Sequence, residues 1–233
     1  MPDTAQTLHN VRFPNESPEY RDARNELLVA ERALRRQIEA VAGLRRALPA
    51  GGEIPEDYVF EEAGLRNAGS GRIVRFSELF GDKDTLIAYS FMYGPEMAQA
   101  CPSCTSILDG LNGQAPHVEQ RASFVVIAKS PAERIRAHAR ARGWNNLRLF
   151  SSAGTRYNRD YRGENEEGAQ RPALNIFSRR DGKLRHGTCS ELMFIASEAG
   201  QDPRHVDLIW PLWNLFDATP EGRGNWHPKL NYS

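Results

Sequence analysis

The stretch that decides the fold is Leu86-Ile87-Ala88-Tyr89-Ser90-Phe91-Met92, followed by the loop Tyr93 to Ala100 and then Cys101-Pro102-Ser103-Cys104. The first seven residues are almost continuously apolar, as in a central strand buried on both faces. The paired cysteines open a helix. At that position Cys101 meets the unsatisfied N–H groups and the positive end of the helix dipole. Both favour a thiolate, which is the reactive form of cysteine. Pro102 has no N–H to offer, but its fixed backbone suits the first helical turn. Cys104 lies one turn further on the same face, within reach of Cys101 for a small disulfide ring.

That geometry predicts a cycle in which the Cys101 thiolate attacks a substrate disulfide or oxidised sulfur and Cys104 resolves the intermediate. Tyr93, Pro102 and Ser103 flank the pair as candidate substrate contacts. Direction, whether reductant, oxidant or peroxide scavenger, is set by pKa and potential. Two other readings compete. A structural zinc site needs two further ligands, for which only Cys189, His117 and His138 qualify, scattered over separate elements. A packed, inactive dithiol in a binding or assembly protein is the other. The reading adopted takes no metal and no cofactor.

Outward from the dithiol, Phe124 to Ala128 is a second buried strand. Ser130-Pro131-Ala132-Glu133 predicts a capping box and a helix to Arg142, its arginines forming a solvated face. The dithiol helix runs to about Leu111, and Leu147 to Phe150 is a short strand. Ala173 to Phe177 and Lys183 to Thr188 form a hairpin turned by Arg180-Asp181-Gly182. Asp202-Pro203 opens a last helix that Pro211 kinks or splits. Upstream, Tyr58 to Phe60 and Arg72 to Phe76 flank a glycine-rich turn at Gly64, Gly69 and Gly71. No Gly-Lys-Ser/Thr follows, so it is a hairpin turn and not a phosphate loop. Alternating strands and helices with a terminal hairpin define an α/β protein, a central mixed sheet flanked by helices.

Residues 17–48 read as a long helical arm with Ser17 as N-cap and Pro18 at the first position. Leu27, Leu34, Val41 and Leu48 recur every seven residues with Ile38 between, but Glu31 and Arg45 interrupt the seam. The arm is either an amphipathic helix lying on its own domain or a dimerisation helix. The predicted division is an arm over 1–52, a domain over 53–217 and a tail over 218–233.

Composition narrows the function classes. In 233 residues, 40% are hydrophobic and 26% charged, and 30 basic side chains balance 30 acidic ones. No net field recommends nucleic acid or a membrane surface. Three cysteines are too few for a secreted disulfide framework. The first twenty residues lack a signal-peptide pattern, and no apolar run is long enough to span a bilayer. A cytoplasmic location is expected, where a paired CxxC is catalytic or metal-binding rather than structural.

These residues resemble the thioredoxin-like superfamily, nearer its peroxiredoxin-like branch than small thioredoxin. Arg171-Pro172-Ala173-Leu174 resembles the cis-proline position of that superfamily. The resemblance implies a cis bond at Pro172, a loop packed on the dithiol, and a role for Pro172 in binding the substrate backbone. A closer resemblance covers nearly the whole chain. The segments EYRDARNELLVAERAL (19–34), FMYGPEMAQACPSC (91–104), FVVIAKSP (124–131), YNRDY (157–161) and LWNLFDATPEGRGNWHPKL (212–230) look like a bacterial thioredoxin-like family, domain of unknown function 899. The implied partners are a thiol or disulfide substrate and another redox protein as electron donor.

The chain departs from thioredoxin at three points. Ala100, not tryptophan, precedes Cys101, and the intervening pair is Pro-Ser. The loop ahead of the dithiol is longer. LIAYSFM holds no acidic residue to match thioredoxin's buried aspartate, leaving Glu96, His117 or a water as substitutes. Tyr157 to Asp160 either braces a long loop or lines a site, and Trp210, Trp213 and Trp226 read as core and lid.

Overall fold

The computed structural model describes residues 8–63, 71–199 and 209–232. The chain divides into two compact units, one ending at Pro49 and one running from Ala50 onward.

The first unit is essentially one helix, α1 (Pro18–Ala47). Its 30 residues make a rod of about 45 Å at 1.5 Å per residue. The predicted cap forms: the Ser17 hydroxyl accepts from the Tyr20 N–H, and Pro18 takes the first position. Glu19 in the first turn and Arg45 and Arg46 in the last complement the dipole. Arg21 donates from Nε to Glu16 at 2.8 Å. Leu27, Leu34, Ile38 and Leu48 are exposed.

The second unit is built on a seven-stranded sheet of β1 (Val59–Glu62), β2 (Ile73–Arg75), β3 (Thr85–Ser90), β4 (Ser123–Ala128), β5 (Leu149–Ser151), β6 (Ala173–Arg180) and β7 (Lys183–Cys189). Their order across the sheet is β2-β1-β5-β4-β3-β6-β7. β3, β4 and β5 run parallel, with Tyr89 opposite Val126 and Ile127 opposite Phe150. β6 returns antiparallel beside β3, placing Ala173 opposite Ser90, and β7 continues the hairpin. Asp181 and Gly182 turn it with φ of 53° and 71°, as a two-residue type I′ connection requires. Beyond β7, residues 52–54 run along its open side: His186 N–H donates to Gly52 O and Ile54 N–H to Leu184 O, at 2.9 and 3.0 Å.

Helices α2 (Pro102–Val118), α3 (Ala132–Arg142), α4 (Tyr157–Asp160) and α5 (Pro211–Asp217) complete the unit. A parallel β3-α2-β4 crossover, an antiparallel hairpin at its side and a dithiol at the crossover helix's start make this a thioredoxin-like fold. Alternation along the central strands feeds two cores. Tyr89, Phe124, Val126 and Leu149 face α2 and α3, whereas Leu86, Val125, Ile127, Phe150 and Phe177 face an aromatic cluster around Phe76. Burial on both faces explains the unbroken apolar runs of β3 and β4.

Two local expectations are corrected. α2 extends past Leu111 to Val118, because Ala115 is buried and Leu111 and Val118 pack on the core despite Gly110, Gly113 and Pro116. The capping box at Ser130 does not form: its hydroxyl donates to Gly94 O at 3.1 Å, and Pro131 becomes the N-cap of α3. Pro211 starts α5, as the split allowed for in the sequence reading would have it and in keeping with proline's preference for the first turn. The Asp202-Pro203 helix start and the turn at Gly64 and Gly69 lie outside the described residues. The arginines of α3 are not all solvated either. Arg142 donates to Asp109 on α2 and, at 2.7 Å, to Leu230 O of the tail, while Trp144 Nε1 donates to Asp109 at 2.8 Å.

Candidate dithiol site

Local sequence places the two sulfurs. Cys101 is the N-cap of α2, with extended φ and ψ of −62° and 124°, and Pro102 holds the first position. The Cys101 N–H donates to Met92 O at 3.1 Å and its carbonyl accepts from Thr105 at 2.9 Å, anchoring the residue on both sides. Cys101 is half-buried, whereas Cys104 is 2% exposed; both are free thiols. The Cys101 thiol is pulled down to about 6, chiefly by the hydrogen bond with Cys104, with the backbone N–H groups of Cys104 and Ser103 helping and burial opposing. Cys104 moves the opposite way, well above an ordinary thiol, because it shares its proton with Cys101, is buried and faces Cys101's charge. The Cys101 sulfur thus favours the thiolate form and the Cys104 sulfur the protonated one.

The loop before the dithiol is held by residues that the sequence did not single out. Arg134 on α3 donates to Pro95 O and Met97 O at 2.7 and 2.6 Å, and its guanidinium lies 4.7 Å from the Tyr93 ring centroid. Ser130 N–H and hydroxyl bind Tyr93 O and Gly94 O. The Gly94 position is tight: a Cβ there would come within 2.8 Å of Gln170 Cγ. Beneath the helix, His138 Nε2 lies 3.3 Å from the Thr105 hydroxyl among the rings of Phe91, Tyr93 and Trp144, and burial depresses its pKa.

Of the predicted contacts, Pro102 and Ser103 lie in the first turn of α2, and Tyr93 is buried under Arg134. Pro172 is half-buried immediately before β6. The cis bond implied there is corrected, since every peptide bond among the described residues is trans. Arg171 N–H is tied to Gly163 O at 2.8 Å, and Ala173 enters the ladder at once. That extended path is served by the ordinary trans form. The substitutes for a buried aspartate are elsewhere: Glu96 is exposed, and His117 occupies the last turn of α2. The group beside Cys104 is Tyr89 of β3.

The other candidates separate cleanly. Cys189 is half-buried on β7, its thiol pushed up by burial. Among the described residues, no three His, Cys, Asp or Glu side chains converge as metal ligands. Tyr157 and Asn158 are buried and brace their loop, whereas Arg159 and Asp160 line a cleft of about 750 Å³ with Glu53, Arg162 and His186. Trp210 and Trp213 are core, and Trp210 Nε1 donates to Ser106 on α2 at 3.2 Å; Trp226 caps Trp213 from the outside. No helix among the described residues is long and apolar enough to cross a membrane.

Solved structures similar to this one include the reduced 2-Cys peroxiredoxin of Plasmodium vivax, at 16% identity and a TM-score of 0.46, covering 70% of this chain and 93% of that one. Mycobacterium tuberculosis AhpC is 14% identical with a TM-score of 0.43, covering 77% and 99%. A secreted disulfide oxidoreductase of M. tuberculosis homologous to E. coli DsbE is 13% identical with a TM-score of 0.38, covering 67% and 96%. No curated protein matches the sequence. The family described as "Bacterial protein of unknown function (DUF899)" matches residues 10–232, and the chain belongs to that family.

Proposed function

We propose that this protein is a thiol–disulfide oxidoreductase of a reducing cytoplasm, acting on protein or small-molecule thiols through Cys101 and Cys104. The observation that carries the reading is the pairing of a half-buried Cys101 whose thiol sits at about 6 with a buried, protonated Cys104 one turn away. Cys101 attacks a substrate disulfide, releasing one thiol and forming a mixed disulfide. Cys104 then attacks the Cys101 sulfur, releasing the second thiol and leaving a Cys101–Cys104 disulfide. A second dithiol protein restores the pair by the reverse exchange. In this reading Pro102, Ser103 and Pro172 are the substrate contacts, and Tyr93, buried beneath Arg134, supports the loop before Cys101.

Iodoacetamide alkylation of Cys101 across pH tests this. Alkylation follows the thiolate, so its rate should rise through a midpoint of about 6 and be level by neutrality. Cys104→Ala should move the midpoint upward, because the largest stabilising contact is gone. A wild-type midpoint near 9, the ordinary thiol value, overturns the reading in favour of a packed, inactive dithiol in a binding protein.

The exposed Leu27, Leu34 and Ile38 of α1, with Leu48 just past its end, favour pairing of the arm with a second copy. Light scattering of the full chain should then give twice the 26.2 kDa of the monomer. A strict monomer removes the proposal.

A further inference from the structure

Tyr89 belongs to the central strand, where its side chain is fully buried in the same core as Cys104. Its hydroxyl is close enough to the Cys104 sulfur for the two to act on each other's ionisation, yet with both thiols free it makes no hydrogen bond that meets ordinary geometry. Buried phenol hydroxyls ordinarily find a partner. The Met92 N–H points at the same sulfur from the loop side. Two donors, one from β3 and one from the segment after it, therefore converge on a sulfur 2% exposed to solvent. Cys101, by contrast, takes its donors from the helix end and from Cys104 itself.

We propose that Tyr89 is a catalytic residue of the resolving step: its hydroxyl donates a hydrogen bond to the Cys104 sulfur when that sulfur becomes a thiolate. This rests on the oxidoreductase reading above. Once Cys101 is tied up in a mixed disulfide, it no longer holds the negative charge that kept Cys104 protonated. The Cys104 thiol loses its proton to solvent, and the thiolate attacks the Cys101 sulfur. The Cys101–Cys104 bond forms, the bond to the substrate sulfur breaks, and the leaving thiolate takes up a proton. Tyr89 stays neutral throughout, and its proton never leaves the oxygen. At 2% exposure the Cys104 sulfur has little solvent around it, enough to carry off a proton but too little to solvate a thiolate, so a fixed donor supplies the stabilisation that solvent gives an exposed one. Thioredoxin's buried carboxylate would act as a base; a phenol here acts as a hydrogen-bond donor.

Tyr89→Phe keeps the ring in the core and removes only the donor. With 5,5′-dithiobis(2-nitrobenzoic acid), the first thionitrobenzoate is released by Cys101 and the second by Cys104. In the full-length variant the first release should keep its rate. The second should slow by about ten- to hundredfold, the scale of a hydrogen bond to a charged group. Its pH midpoint should move up. In a Cys101→Ser background, Cys104 titration followed by Cβ chemical shift should also move up on adding Tyr89→Phe. That measurement needs no turnover, so it separates this proposal from the oxidoreductase reading. Were Tyr89→Phe to misfold, 3,5-difluorotyrosine at the same position, a stronger donor, should lower the Cys104 midpoint. An unchanged second release, or a Cys104 midpoint indifferent to both replacements, overturns the assignment.

Discussion

Cys101→Ser should lower thiol-dependent disulfide reduction by about three orders of magnitude or more, since loss of a nucleophile typically removes nearly all covalent catalysis. A serine hydroxyl at the start of α2 receives the same N–H groups of Ser103 and Cys104, but they cannot ionise an alcohol at neutral pH. Cys104 does not step in, because it is buried and its thiol is held well above the ordinary range. Cys104→Ser should behave differently: the first attack survives, and a mixed disulfide on Cys101 accumulates and is detectable as an added mass. Equal turnover by wild type and Cys101→Ser would leave the fold and remove the chemistry.

The second large effect concerns the face of the sheet away from the dithiol. Phe76→Ala should cost about 3–5 kcal/mol, the range for emptying a buried aromatic site. Phe76 is fully buried, with its ring next to those of Tyr58, Phe60, Phe80, Tyr157 and Phe177. Five rings around one vacancy cannot collapse into it without leaving their own edge-to-face contacts. For a unit of this size the melting midpoint should fall by roughly 10 °C. Calorimetry on the reduced protein measures it. A fall of a degree or less would mean that the cluster is not the second core described here.

The parts of the fold legible in the sequence are those where one strong signal dominates. β3 and β4 are buried on both faces, so their apolar runs stand out, and the dithiol's place at a helix start follows from Cys101-Pro102. Ser17-Pro18 marks the arm's start to the residue. Strands of three or four residues carry too little pattern to show their partners, so the antiparallel joining of β1 to β5 was not legible. The helix expected to end at about Leu111 continues to Val118, because Ala115 is buried on the core despite Gly113 and Pro116 nearby.

The site was legible in its nucleophile and not in its surroundings. Four arginines on α3 look alike in sequence, yet Arg134 turns to the loop before Cys101 and Arg142 to Asp109. LIAYSFM holds no carboxylate, and nothing in its sequence marks Tyr89, whose relevance depends on how deeply Cys104 sits beneath the helix. Depth is a property of packing, and no spacing rule encodes it.

The segment along β7 has a bearing on how this protein keeps to itself. A side-chain carbon at Gly51 would fall 1.7 Å from His186 O, so only a bare backbone lets residues 52–54 occupy that margin. With it in place, a stranger's extended chain finds no vacant hydrogen-bonding row there. The opposite margin, β2, is three residues long, preceded by Arg72 and ending in Arg75, with Arg72 3.6 Å from Glu78. One border is fenced by the chain itself and the other is short and charged, so the sheet is poorly suited to being lengthened by a neighbour's.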